Sequence, residues 1–438
     1  MKITSILILS FLQICFVLNS ISQENLTLSD AIQKSLENNY QIRVSKLNLD
    51  IAKSNNTWGT AGRYPYIGIG AMQANRYDDM PSRMTPGTRD KYNTYSVSPF
   101  AQLQWTLFNG FAINITKDKL ASLERITEGN AAIIVENTIQ AVILAYNRVL
   151  LENEKKKVIE EILKLSSDRY NNILLKKDLG SAVTFDVLQA QNAYLSDSST
   201  YLLQQMNYKN SLRNLNLLLG ENINTIYNPI DNFIVPVKQY EMDTLLSKML
   251  SNNKTLTNQY INQEILRKNI KLNKSSLYPS ISLNSGYDKS YSSVKFDGSS
   301  ASNSNAYDYY ANFSLSYTLF NGGNIKSAIQ NAKIEENIGQ IQLDEITHRV
   351  SIQLANSYEL FIIRKQLYLV SEEKLKTNKL NLQIAEEKFN SGVINSFNYR
   401  DVQIMFLNSS FEKLEAIYNL IETNSELLRL TGSIISVQ

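Results

Sequence analysis

Tyr95-Ser96-Val97-Ser98-Pro99-Phe100-Ala101-Gln102-Leu103-Gln104-Trp105-Thr106-Leu107-Phe108-Asn109-Gly110 carries two signals at once. Its odd positions through Leu107 are mostly apolar or aromatic and its even positions are polar apart from Phe100, the period-2 pattern of a strand with two unlike faces. Its end, Thr106-Leu107-Phe108-Asn109-Gly110, returns as Thr318-Leu319-Phe320-Asn321-Gly322, 212 residues later. The run before that second copy alternates in the same way. Tyr307, Tyr309, Ala311, Phe313, Leu315, Tyr317 and Leu319 face one side, and Asp308, Asn312, Ser314, Ser316 and Thr318 the other, with Tyr310 the exception.

The repeat extends well beyond the strands. An offset of 212 also pairs Tyr146 with Tyr358, Gly180 with Gly392, Phe185 with Phe397, Gln191 with Gln403 and Gly220 with Gly432. Earlier landmarks are offset by 214, pairing Asn38-Asn39 with Asn252-Asn253 and Tyr64-Pro65 with Tyr278-Pro279. The unit is half the chain, too long for a solenoid, and reads as a duplicated domain. Each copy predicts a first helix (Leu28 to Arg63, Asp243 to Leu277), then Tyr-Pro, where proline stops the helix. Two strands follow, then a long helix (Ile113 to Lys177, Asn324 to Asn390), a glycine turn, and a last helix ending at Gly220 or Gly432. Ile139, Val142, Ile143, Tyr146, Val149 and Leu150 mark the core face of the first long helix. The two shorter helices match the long one in summed length, which predicts coiled-coil-like bodies that need further copies to cover their apolar faces.

Composition agrees and excludes much. Seven prolines and 16 glycines in 438 residues argue for long helices over loop-rich folds. Lys and Arg number 44 against 41 Asp and Glu, so no strong field points to nucleic acid. One Cys (Cys15) and one His (His348) exclude a His/Cys metal site, a Cys–His nucleophile pair and a disulfide framework. No phosphate-binding glycine loop, nucleophile elbow or zinc-protease motif occurs, so neither a catalytic residue nor a cofactor is expected.

Residues 1–22 read as a secretory signal: Lys2, an apolar stretch from Ile3 to Leu18, and the small-x-small pattern Ser20-Ile21-Ser22. The alternative is an uncleaved anchor. Cys15 reads as part of the apolar segment, since Ile14 precedes it where a lipidation signal needs a small residue. The expected organisation is then a first repeat at 23–220, a linker at 221–240, a second repeat at 241–432 and a tail at 433–438. Strand runs of 11–13 residues with aromatic ends have the length and girdle of tilted membrane strands, although a soluble sheet with one wet face gives the same alternation. Loops at 78–93 and 292–306 are expected on the outside. Four strands are too few to close an open barrel, whereas a trimer supplies twelve.

This order of elements resembles the outer-membrane efflux protein (TolC) family along nearly all of the chain. The doubled Leu-Phe-Asn-Gly carries the resemblance, as does Gly180 followed by Phe185-Asp186-Val187-Leu188-Gln189-Ala190-Gln191; Gly392 followed by Phe397-Asn398-Tyr399-Arg400-Asp401-Val402-Gln403 is a looser copy. The resemblance implies a mainly α chain with membrane β: a homotrimer in the outer membrane, with a 12-stranded β-barrel above a long helical barrel in the periplasm. It implies an exit duct of a tripartite efflux or type I secretion system, surrounded by outer-membrane lipid. A periplasmic adaptor (membrane fusion) protein would join it to an inner-membrane RND or ABC transporter. It further implies that the tips at Gly180 and Gly392 face the adaptor, and that Asp186, Asn398 and Asp401 take the positions of the family's acidic periplasmic aperture. Where the family has Tyr and Arg in a polar network beside that aperture, this chain has Phe389 and Ile394. The alternative leaves Asp186 and Asp401 as ordinary acids near a helix start. A structural or adhesive surface coiled coil is the competing function, but it predicts strands at one end of the chain rather than twice at equivalent positions.

Overall fold

The computed structural model describes residues 24–235 and 239–437. The expected signal lies outside the described residues, as does Pro236 of the linker. The elements are β1 (Glu24–Leu26), α1 (Leu28–Asn38), α2 (Tyr40–Asn55), β2 (Tyr66–Pro81), β3 (Arg89–Asn109), α3 (Ala112–Asp178) and α4 (Thr184–Leu219). There follow β4 (Tyr227–Pro229), α5 (Met242–Asn252), α6 (Lys254–Ser275), β5 (Ser280–Phe296), β6 (Ser302–Ser316), α7 (Asn324–Asn390) and α8 (Ser396–Leu430), closed by a 3-10 turn, Ile434–Val437. The chain forms two compact units. One comprises Met1–Leu47, Gly129–Thr257 and Ile346–Gln438; the other comprises Asn48–Glu128 and Asn258–Glu345.

In the first unit, Ile139, Val142, Ile143, Tyr146, Val149 and Leu150 are all buried, as their spacing predicts. The single first helix of each repeat is corrected: it breaks after Asn38 and again after Asn252. The asparagine at each break is the cause. Asn39 Oδ1 accepts from the Gln41 and Ile42 amides, starting a new helix, and its Nδ2 donates to Leu218 O at 2.9 Å. Asn253 does the same with the Leu256 amide and Leu430 O. A short side chain that bonds its own backbone competes with the helix ladder. Beside each break a helix ends at a left-handed glycine. A Cβ on Gly220 would lie 2.6 Å from Asn38 O, and one on Gly432 2.8 Å from Asn252 O, so the position needs both the positive φ and the missing side chain.

The second unit holds an antiparallel sheet in the order β2-β3-β5-β6. Its register sorts the residues by face. Ile67 pairs with Leu103, Trp105 with Leu283, Leu283 with Phe313, and Ile281 with Leu315, so one face is apolar across all four strands. The other face carries Gln102, Gln104, Asn284, Asn312 and Ser314. The two exceptions in the alternation also find their reason. Phe100 lies over its cross-strand neighbour Gly70 and Tyr310 over Gly286; a Cβ on Gly70 would meet the Phe100 ring at 2.5 Å, and one on Gly286 the Tyr310 ring at 2.6 Å. Each aromatic covers backbone that its glycine partner leaves bare.

The strands are longer than the alternation suggested, at 16, 21, 17 and 15 residues. The outer loops shrink to 82–88 and 297–301, because polar Asp78, Asp79, Lys91 and Lys295 continue the ladder that the alternation alone could not see. The second Thr-Leu-Phe-Asn-Gly lies beyond its strand, unlike the first. β3 pairs with β2 only up to Gln104 but with β5 through Asn109, whereas β6, which among the described residues pairs with β5 alone, stops at Ser316 opposite Ser280, the first residue of β5 after a proline that can donate nothing to the ladder.

Candidate functional site

The α3–α4 and α7–α8 hairpins turn at the two glycines singled out by the sequence. Gly180 has φ 76° and Gly392 has φ 80°, and a Cβ on either meets nothing, so φ alone demands glycine. Each turn closes the helix before it in the same way: the Ser181 amide donates to Lys176 O at 2.8 Å, and the Val393 amide to Lys388 O at 2.8 Å.

The two hairpins then differ where their helices restart. α4 begins after Val183, which offers no side-chain cap, and half-buried Asp186 sits in its first turn, where its charge suits the helix dipole. α8 begins after Asn395, whose Oδ1 accepts from the Asn398 amide at 2.9 Å. The second helix start is therefore satisfied by a neutral cap, and Asn398 itself is exposed. Asp401 is exposed one turn further along. Among the described residues, neither Asp186 nor Asp401 makes an ion pair within the chain.

One apolar cluster binds both hairpins: Ile162 and Ile173 of α3, Val187 and Ala190 of α4, Leu382, Ala385 and Phe389 of α7, and Tyr399 and Phe406 of α8. Phe389 stacks on Tyr399 with centroids 4.8 Å apart and planes at 14°, and Lys176 Nζ lies 4.9 Å over the Phe389 ring. Ile394 packs against the same cluster. At the two positions where the resemblance led one to look for a tyrosine–arginine latch, the chain has this apolar packing.

Its buried polar chemistry stands elsewhere. Arg400 forms a bidentate pair with Asp197 at 2.6 and 2.7 Å, and both side chains are largely covered. Arg169, 3% exposed, donates Nη1 to Ser396 O at 3.2 Å, while its Nε and Nη2 have no partner. Burial pushes the Arg169 guanidinium down to about 10, and the positive charge of Arg400 adds to the shift while Asp197 opposes it. Arg400 thus pairs directly with Asp197, and buried Arg169 feels the charge of both, on the helices that lead to the hairpin tips. Sequence reading missed this cluster, although the signal was present. Asp197 falls on the buried stripe Val187, Ala190, Tyr194, Asp197, where an acid requires a partner. Arg400 stands where the first repeat has Leu188. Among the described residues, no group of His, Cys, Asp and Glu could hold a metal ion, and no helix is long and apolar enough to cross a membrane.

The family model for outer membrane efflux proteins matches the chain twice, over residues 31–221 and 245–433. This chain belongs to the outer membrane efflux protein family. Its doubled match falls on the two halves that the sequence pairs. The antibiotic efflux pump outer membrane protein ArpC of Pseudomonas putida is similar at 22% identity over 395 residues, which is 86% of this chain and 76% of ArpC. Among solved structures, the CmeC outer membrane channel of Campylobacter jejuni has a TM-score of 0.75 at 14% identity, covering 93% of this chain and 85% of that one. The outer-membrane channel OprN has a TM-score of 0.74 at 16% identity, covering 93% and 90%. As an outer membrane efflux protein, the chain is the outer-membrane channel component of an efflux system, built from a helical barrel with a β domain and reaching from the outer membrane into the periplasm.

Proposed function

We propose that three copies close their four-stranded sheets into one twelve-stranded barrel and act as a passive exit duct, without catalysis. An adaptor in the periplasm joins the duct to an inner-membrane RND or ABC transporter, which supplies both energy and substrate choice. The observation that carries this reading is the uncovered apolar face of the sheet: Ile69 is 87% exposed, Phe313 72% and Leu315 71% in the single chain. A face of that extent needs lipid or a neighbouring chain to cover it.

Within this reading, the tips at Gly180 and Gly392 meet the adaptor, and Asp186, Asn398 and Asp401 ring the periplasmic aperture. Three copies of an exposed carboxylate around one axis repel, at about 1 kcal/mol per pair at 4 Å in water and about 4 at an effective dielectric of 20. Cations entering the aperture relieve that repulsion. Single-channel recording in a planar bilayer tests the assignment: Asp401→Asn reduces cation selectivity and block by divalent ions from the periplasmic side, and Asn398→Asp strengthens both. If neither substitution changes selectivity or block, these residues do not line the constriction.

A further inference from the structure

Among the described residues, Phe111 alone has a positive φ, 67°, without being glycine. The duplication shows that this strain is avoidable, because the residue 212 positions on is Gly323, at φ 83°. A bulky side chain in the left-handed region is costly and points to a use for the ring. Gly110 brings the turn against the end of α6: a Cβ there would lie 2.2 Å from Ser275 O. Phe111 then meets Phe108 edge to face, with centroids 5.2 Å apart, and Tyr278 at 6.3 Å. Phe111 and Tyr278 both stay more than half exposed.

This aromatic cluster continues the apolar face of the sheet. A register shift between Thr106 and Phe108 sets Phe108 opposite Ile281, which pairs in turn with Leu315. Tyr95 and Trp105 stand ten residues apart on the same face of β3. At about 3.3 Å per residue and a tilt of about 40°, they are separated by about 25 Å along the membrane normal, the height of an apolar band. Trp105 therefore marks one edge of the band, and the turn carrying Phe111 stands at the level of lipid headgroups on the side where α3 leaves the sheet.

Two cations gather at that level around a single indole. The Arg63 carbonyl accepts from Trp105 Nε1 at 2.9 Å, and its guanidinium lies 4.6 Å from the centroid of the Trp58 ring. Lys117 Nζ lies 5.9 Å from the same centroid and donates to Asn56 Oδ1 at 2.6 Å. Among the described residues, neither cation makes an ion pair, and the Arg63 side chain makes no hydrogen bond. Glu124, the acid joined to this group, is held by Asn56 Nδ2 and not by either cation. A guanidinium laid on an aromatic face keeps its N–H edge free for a planar pair of bonds to phosphate.

We propose that Trp58, Arg63 and Lys117 bind the phosphate of an anionic phospholipid in the periplasmic leaflet, with its acyl chains along Phe108, Phe111 and Tyr278. Charge selects the headgroup, because two unpaired cations repel until an anion joins them. Continuity with the apolar face selects a lipid as the carrier of that anion. The site presupposes that the sheet meets lipid, and it adds a fixed lipid at one level of the surface.

Trp58 and Trp105 are the only two tryptophans of the chain, one in the site and one on the apolar face. Trp105→Phe and Trp58→Phe each leave one reporter in the full chain, reconstituted into vesicles of phosphatidylcholine and phosphatidylglycerol with bromine on the acyl chains of one lipid or the other. Trp105 is expected to be quenched by brominated phosphatidylcholine; its failure to be quenched would overturn the membrane reading itself. Trp58 is expected to favour phosphatidylglycerol over phosphatidylcholine by about fivefold for each cation facing the headgroup. Arg63→Gln and Lys117→Gln each remove about one such factor, whereas Lys119→Gln, on the opposite side of α3, removes none. Millimolar glycerol phosphate in the buffer leaves the preference unchanged. With Trp105 quenched, four results would overturn the site alone: no preference at Trp58, an equal loss in Lys119→Gln, a preference erased by glycerol phosphate, or a Trp58 quenched by neither lipid because a neighbouring copy covers it.

Discussion

Asp197→Asn should loosen the hairpin tips more than any other single polar substitution in the molecule. The carboxylate holds Arg400 through two bonds of 2.6 and 2.7 Å and is the nearby countercharge for Arg169, which is 3% exposed. The amide leaves two covered guanidinium groups without an anion. Removing one partner of a buried pair costs about 3–5 kcal/mol, and the second arginine puts this site at the upper end. The pair itself adds little net stability, so Asp197→Leu combined with Arg400→Met should lie within about 1 kcal/mol of the parent or above it. Hydrogen exchange of the amides at 165–200 and 385–410 reads the effect locally, and denaturant midpoints read it globally. Exchange there should rise about a hundredfold or more in Asp197→Asn and stay near parental in the double variant. If Asp197→Asn exchanges like the parent, the two arginines are solvated in the assembled protein and the electrostatic account of the tips fails.

Three further outcomes are expected from buried charge and close packing elsewhere in the chain. Glu136 is 5% exposed with an unpartnered Oε1, and burial raises its pKa against the opposing pull of Lys254 and Arg429. The folded state therefore holds this proton more tightly than the unfolded chain does, and stability falls as pH rises from about 4.5 through the raised value. Glu136→Gln should remove that slope and raise the melting temperature at pH 8 by a few degrees, while changing little at pH 4.5. Gly432→Ala places a methyl 2.8 Å from Asn252 O at φ 63°, and should cost more than the about 1–3 kcal/mol of backbone strain alone. Gly298→Ala, at φ 79° in open space, should show only the strain, so equal melting-temperature losses would refute the close approach. Phe100→Ala uncovers Gly70 and should lower the heat stability of the detergent-extracted protein by the equivalent of about 1 kcal/mol, with the loss absent if the ring faces lipid.

The duplication made most of the fold legible, because a repeat fixes which signals matter twice. The first Leu-Phe-Asn-Gly, the tip glycines and the buried stripe through Tyr146 stand where their spacing put them, while the second Leu-Phe-Asn-Gly falls past the end of β6. Four kinds of feature escaped. Asn39 and Asn253 break helices through side-chain bonds that periodicity does not register. Strand ends beyond the apolar band are held by main-chain pairing, so Asp78 and Lys91 look like loop and sit in a ladder. The Arg169–Asp197–Arg400 cluster joins three helices across more than two hundred residues, and only the misplaced acid on the stripe of α4 hinted at it. β1 pairing with β4 was likewise invisible, since three residues are too few for any pattern.

The central claim is that one face of the β2-β3-β5-β6 sheet meets lipid in the outer membrane. Single cysteines at Leu103, Phe313 and Leu315, and at Gln102, Asn312 and Ser314 on the opposite face, test it in the native membrane with a lipid-phase thiol probe and a membrane-impermeant one. The account predicts preferential labelling of the first three from the lipid and of the second three from water. Equal labelling of both sets by both probes would contradict it.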